Sequence, residues 1–347
     1  MLGFDDLSDE TSLGLRLAAV CRQHAELVAL GCDGEQWSYE QLAGRAAHIA
    51  RQLSERGLRP GDRVGLYLER SPELLAAVLA CIRTGLCFVP LEPERSLSRL
   101  NRAARQVRVR LVLASMPLHR AFAMPVHVLR PGWCAPQGWP EQDDELPACL
   151  LLQRDDGAQT QGRVIVRRAL ALFLQQTCER IEACCGSRWL FTAALDEPTA
   201  LLDMLGPLWV GGYLEVAPAR LQHEPQALAA LLRRRPDINT LQGDGPFWRR
   251  LLGAGWCGHR GMLALCSDAQ LDAALEEQRR RCGFRIELTD PQAGLRCLNP
   301  VTTRSYWLAS ATSAWSLPRI SASISSMTCS AASGPKADVH TEPSTAW

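Results

Sequence analysis

Apolar residues recur at helical spacing from Leu13 onward, and the run passes into a short apolar strand that ends at Leu30. A second helical stripe, Leu42, Ala46, Ile49, Ala50 and Leu53, lies within Tyr39–Arg56 and is stopped by Gly57 and Pro60-Gly61. Arg63–Leu68 alternates as a strand does. Ser71-Pro72-Glu73 opens a helix with proline at its first position, and Leu74–Ile82 is its apolar body. Cys87–Pro90 predicts a buried strand, Arg95–Gln106 a helix and Arg110–Ala114 a strand. After Pro131–Pro147, rich in Pro, Gly, Trp and acids and expected to be a surface linker, the alternation resumes. It predicts strands at Ala148–Gln153, Arg163–Val166, Trp189–Phe191, Tyr213–Val216, Met262–Cys266 and Arg285–Leu288. Between them it predicts helices at Arg168–Arg180, Thr199–Trp209, Pro225–Arg234, Phe247–Leu252 and Asp268–Arg281. Strands alternating with helices at this spacing mean an α/β fold with a mainly parallel sheet.

The pattern ends near residue 300. Val301–Trp347 is dominated by Ser, Thr and Ala, has only Asp338 and Glu342 as acids, and is expected to be a disordered tail after a folded region 1–300. So abrupt a change also fits a reading-frame shift upstream, and translation of the other frames past Arg296 tests that. The remaining composition narrows the class. The 347 residues carry a net charge of +1, which argues against a nucleic-acid or anionic-membrane surface. No apolar run approaches the roughly 18 residues of a membrane span. The fourteen cysteines lie in apolar runs (Cys81, Cys87, Cys149, Cys266) with no C-x-x-C pair. Buried, reduced thiols and an acidic Met1–Glu10 without a signal pattern point to a cytoplasmic protein. Lys336 is the sole lysine among 38 basic residues, so any mechanism that needs a lysine must use it or do without.

Three segments carry a resemblance. Trp37-Ser38-Tyr39-Glu40-Gln41-Leu42 is similar to the L-[ST]-Y-x-E-L opening of AMP-forming amino-acid adenylation domains, found in nonribosomal peptide synthetases. Arg59-Pro60-Gly61-Asp62-Arg63-Val64 resembles that family's G-x-x-P-G-D-x-V turn. Ile82–Pro93 resembles L-K-A-G-x-A-Y-V-P-[IL]-D-P, with Gly85 and Pro90 in place and Glu92 for the usual Asp. The likeness covers roughly residues 12–298, the first half to two-thirds of a whole adenylation domain. It implies the N-terminal region of the adenylate-forming fold without the C-terminal lid. It also implies a reaction in which an amino acid and ATP, with magnesium, give aminoacyl-AMP and pyrophosphate. A carrier protein or other peptide synthetase domains would be the partners.

The site residues depart from the family's pattern. Its phosphate loop, Y-T-S-G-S-T-G-x-P-K-G, corresponds to Leu152–Gly162, in which Asp155, Asp156, Gly157, Thr160 and Gly162 are the candidate nucleotide-binding residues. Two carboxylates there either recruit magnesium or form a solvated acidic turn that repels a triphosphate. In the amino-acid motif F-D-x-S-x-x-E, Pro198 holds the Asp position and Asp203 the Glu position. A two-residue slip would make Asp196 the partner of the substrate ammonium, and a helix cap is the alternative role. Asp268 in Cys266-Ser267-Asp268 replaces the acid of G-G-E, and Asp290 lies near the place of Y-G-P-T-E; these are the candidate adenine and magnesium residues, with a helix-start acid and a turn residue as their respective alternative roles.

Other chemistries find less support. There is no G-K-[ST] for a Walker ATPase and no G-x-S-x-G for a serine hydrolase. Gly243-Asp244-Gly245 lacks the third glycine of a dinucleotide fingerprint. Gly255-Trp256-Cys257-Gly258-His259 reads as a turn. The expectation is therefore a truncated, degenerate adenylation relative, inactive alone. The alternatives are an active AMP-forming ligase and a non-catalytic interaction module of a peptide synthetase.

Overall fold

The computed structural model describes residues 12–118, 121–135, 138–152, 162–267 and 273–289. Strands β1 (Val28–Cys32) and β2 (Glu35–Ser38) form a hairpin that leads into helix α2 (Tyr39–Glu55), after α1 (Leu13–Gln23). The W-S-Y-x-x-L segment owes its form to a reciprocal cap. Ser38 Oγ accepts from the Gln41 N–H at 3.2 Å, and Gln41 Oε1 accepts from the Ser38 N–H at 2.8 Å. Tyr39, fully buried, donates its hydroxyl to the Gly212 carbonyl at 2.7 Å. Next come β3 (Arg63–Tyr67), α3 (Pro72–Thr84), β4 (Cys87–Pro90), α4 (Leu97–Gln106), β5 (Leu111–Ala114) and β6 (Val126–Val128). Ser71 caps α3 by accepting from the Leu74 N–H at 3.3 Å. Gly85 ends it in the left-handed region, with φ +71°, where a Cβ would be strained.

The second half contributes β7 (Pro147–Leu152), β8 (Gly162–Val166), α5 (Arg167–Arg180), β9 (Arg188–Phe191), α6 (Pro198–Val210) and β10 (Tyr213–Val216). It continues with α7 (Pro225–Arg234), β11 (Thr240–Gly243), α8 (Gly245–Gly253), β12 (Leu263–Cys266), α9 (Ala273–Cys282) and β13 (Arg285–Leu288). One sheet has the order β13-β12-β11-β9-β10-β1-β2 and the other β6-β5-β3-β4-β7-β8. All pairings are parallel except β1–β2 and β7–β8, so the expected mainly parallel α/β fold is the one observed.

Three cores set the layering. Helices α1, α2, α3, α5 and α6 share one core with the inner faces of both sheets. Helices α7, α8 and α9 cover the outer face of the first sheet, and α4 covers that of the second. The order is helix, sheet, helix, sheet, helix. Segment 131–147, expected as a surface linker, is mostly exposed in its described part, but Trp139 is buried in the central core. Strands β2, β6 and β11 are additions to the pattern expected from sequence. Cys81, Cys87, Cys149 and Cys266 are buried and not disulfide-bonded, and burial pushes the Cys87 thiol up to about 12. Among the described residues no helix is long and apolar enough to cross a membrane.

Gly31 lets β1 pass under side chains from β10. A methyl group there would overlap the Tyr213 hydroxyl and approach Glu215 Oε2 to 2.7 Å. Tyr213 cannot easily move, because Arg188 stacks on its ring at 4.0 Å and its hydroxyl donates to Glu215. Gly31→Ala is expected to destabilise the fold by about 1–3 kcal/mol, measured as a lower urea midpoint at constant slope. Tyr213→Phe in the same chain should recover part of the loss, read as a coupling in a double-mutant cycle.

Candidate functional site

Parallel strands bring loops together at their carboxyl ends, and crevices outside those ends are where α/β sheets hold ligands. Here the carboxyl ends of β3 and β4 in one sheet meet that of β9 in the other through charged side chains. Arg70, three residues past β3 and buried, donates from Nη1 to the Thr192 carbonyl at 3.2 Å, just after β9. Its Nη2 lies 3.8 Å from Glu92 Oε1, two residues past β4. Glu92 Oε2 is 3.5 Å from Arg95 Nε, and Arg95 Nη2 forms a close ion pair with Asp196 Oδ2. The result is a chain of alternating charge, Arg70–Glu92–Arg95–Asp196, tied across the cleft. The Asp196 side chain is only 7% exposed, and its Oδ1 has no hydrogen-bond partner. Burial lowers the pKa of Arg70, with Glu92 opposing that shift.

Behind Thr192 sits a second acid. Asp203, on α6 and fully buried, accepts through Oδ2 from the backbone N–H groups of Thr192 at 3.3 Å and Ala193 at 3.2 Å. The Gln242 amide, with its nitrogen turned toward α6, donates to Asp203 Oδ1 at 2.8 Å and to the Thr199 carbonyl at 3.3 Å. Burial pushes the Asp203 carboxyl up to about 7, against the opposing pull of those N–H groups and of Arg70. Asp203 thus braces the turn that presents Asp196.

The structure brings Asp196 into this cleft, engaged by Arg95 rather than placed as a helix cap: the α6 N-cap is Glu197, with no side-chain capping bond. Gly162 opens β8 opposite Leu152 of β7, so the two ends of the candidate phosphate loop are paired strand residues. Asp155, Asp156, Gly157 and Thr160 of that loop lie outside the described residues, as do Asp268 and Asp290, which follow β12 and β13. Arg70, Arg95 and Gln242 were not singled out by the sequence. The one available signal is that Arg70 and Arg95 each fall within a few residues of a strand's carboxyl end. Two other segments are structural. Asp244 accepts from the Phe247 N–H at 2.7 Å as the cap of α8, and the His259 ring lies against backbone carbonyls of Arg260 and Ile238. A separate open groove of about 520 Å³, lined by residues such as Asp33, Arg220, Leu231 and Arg234, shares no residue with the charge chain.

Residues 17–169 match the family described as AMP-binding enzyme. The chain is 26% identical over 300 residues to "Dimodular nonribosomal peptide synthase" of Bacillus subtilis (strain 168), a match covering 82% of this chain and 12% of that protein. The structure "holo-AB3403 a four domain nonribosomal peptide synthetase bound to AMP and Glycine" is similar with TM-score 0.70 and 25% identity over 78% of this chain and 20% of that one. The "NpsA N-terminal subdomain" of Klebsiella oxytoca shares the fold, with TM-score 0.69 at 18% identity, over 80% of this chain and 73% of that one. The chain therefore spans about an eighth of the synthetase it matches (12%). The α/β architecture is that of N-terminal adenylation structures of nonribosomal peptide synthetases.

Asp203 generates a pH dependence of stability. Its folded pKa is raised from 3.8 to about 7, so between those values the folded protein keeps a proton that the unfolded chain has released. Stability should therefore fall as pH rises from about 4 to 7, by at most about 1.4 kcal/mol per pH unit from this group, and the decline should level off above that range. Asp203→Asn should flatten the profile, measured by urea unfolding at several pH values.

Proposed function

We propose that this chain is a degenerate relative of amino-acid adenylation domains that does not form aminoacyl-AMP by itself. The observation that carries the reading is the Arg95–Asp196 ion pair. The carboxylate offered by sequence for a substrate ammonium already holds a resident guanidinium, itself linked through Glu92 to Arg70 across the cleft. The substitutions support it: Pro198 stands at the family's Asp position, and acids stand where a phosphate loop needs small residues and a lysine. The relatives are multidomain synthetases, so a carrier protein or another synthetase domain is the partner this reading implies.

One observation favours the alternative, an active AMP-forming ligase using ATP and magnesium. Asp196 Oδ1 is a buried acceptor with no hydrogen-bond partner, and a ligand ammonium would supply a donor. In that reading Asp155, Asp156, Asp268 and Asp290 are the acids available to serve ATP and magnesium.

Amino-acid-dependent ATP–pyrophosphate exchange decides between them. With circular dichroism confirming folded protein, exchange at background level for every common amino acid is the expected result. Exchange above background with any amino acid would overturn the proposal and direct mutagenesis to Asp155, Asp156, Asp196 and Asp268.

A further inference from the structure

We infer that Arg95 is an internal cation that plugs the Asp196 site, holding the place of a ligand ammonium and keeping cationic ligands out of the cleft. The inference rests on the reading of Asp196 given above, and goes beyond it in naming the device that closes the site. The two members of the pair are unequally placed. Arg95 lies on the turn between β4 and α4, with its side chain 32% exposed, whereas that of Asp196 is 7% exposed. Arg95 is thus the member with a route to solvent, and Asp196 is the fixed one, on a turn braced by Asp203.

Their neighbours are unequal as well. Glu92 faces a second guanidinium, that of Arg70, 3.8 Å away, so loss of Arg95 leaves Glu92 with a cation beside it. Asp196 has no other ion-pair or hydrogen-bond partner for its side chain among the described residues, and its Oδ1 is unmet even with Arg95 in place. Removing the guanidinium therefore orphans one buried carboxylate and no other. A buried carboxylate without a counter-charge is relieved either by a proton or by a small cation that can reach it, and an added ammonium competes for that place. The ligand class is a primary ammonium: a simple alkylammonium, or the α-ammonium of an amino acid.

The test is rescue by added cations in the full chain carrying Arg95→Ala. Arg95→Gln, which keeps most of the length and one donor group, serves as a second variant that folds where alanine does not. Thermal unfolding is followed in methylammonium chloride against sodium chloride of equal concentration, and then with individual amino acids against their N-acetyl forms. The variants should melt below wild type. Methylammonium should raise their Tm saturably, by about 5 °C, and the amino acids should do so where the N-acetyl forms do not. Wild type should show no saturable rise, and Asp196→Asn added to either variant should abolish the effect. A saturable rise of the same size in wild type would overturn the inference. So would rescue that survives Asp196→Asn, or a folded Arg95 variant with no response to ammonium. Pyrophosphate exchange by wild type reads the catalytic proposal separately, so failure of one is distinguishable from failure of the other.

Discussion

Every face of two stacked sheets has to be covered, and the helices between them must be apolar nearly all round. Ten of the thirteen residues of α3 are buried, and eleven of the thirteen of α6. Neither helix has a wide polar face to give to solvent: α3 touches strands of both sheets, and α6 packs on the first sheet and against α1 and α5. That constraint fixes the spacing of the sheets and sets the carboxyl ends of β3 and β4 against that of β9. The cleft is a consequence of this packing, and its contents follow from which side chains the strand ends happen to carry there.

Those contents are charged and matched. Arginine, which makes up all but one of the basic residues, suits the position. Its planar fork reaches two acceptors at once, and it keeps its charge where burial would neutralise a lysine. Arg70 bridges a carboxylate and a carbonyl, and Arg95 bridges two carboxylates. The arrangement is costly to break at Arg95, because its loss leaves the buried Asp196 carboxylate uncompensated. In the reading proposed above, the same pairing that satisfies the cleft without a ligand makes it a poor receptor for one. The segments similar to adenylation domains are the ones with structural work: the cap at Ser38, the turn at Gly61 and the helix end at Gly85.

The elements legible in sequence were those with several residues of pattern and a chemical stop. Helix α3 shows both, in Ser71-Pro72 and Gly85. Strand β11, Thr240–Gly243, is four residues ending in Gln and Gly, too short and too polar to show a period, and only its pairing with β9 and β12 makes it a strand. Strand β2, Glu35–Ser38, is an edge strand with a largely polar surface, visible only as the partner of β1. In the cleft, Asp196 was legible because a motif pointed near it. Arg70 and Arg95 were not, because an arginine after a strand looks the same in sequence whether it ends in solvent or against a buried acid.

The amino-acid sequence by itself determined the α/β alternation, the caps and turns that bound each helix, the apolar thickness of the inner helices and the likeness to adenylation domains. These are local, carried by residues within a few positions of one another. The tertiary structure alone decided which charges meet. Arg95 and Asp196 stand 101 residues apart in the chain, and Arg70 and Thr192 stand 122 apart. Sequence contains no distance between such residues. Only the closing of two sheets on a shared helical layer brings them together, and whether a carboxylate there is free or already paired is settled by that closure.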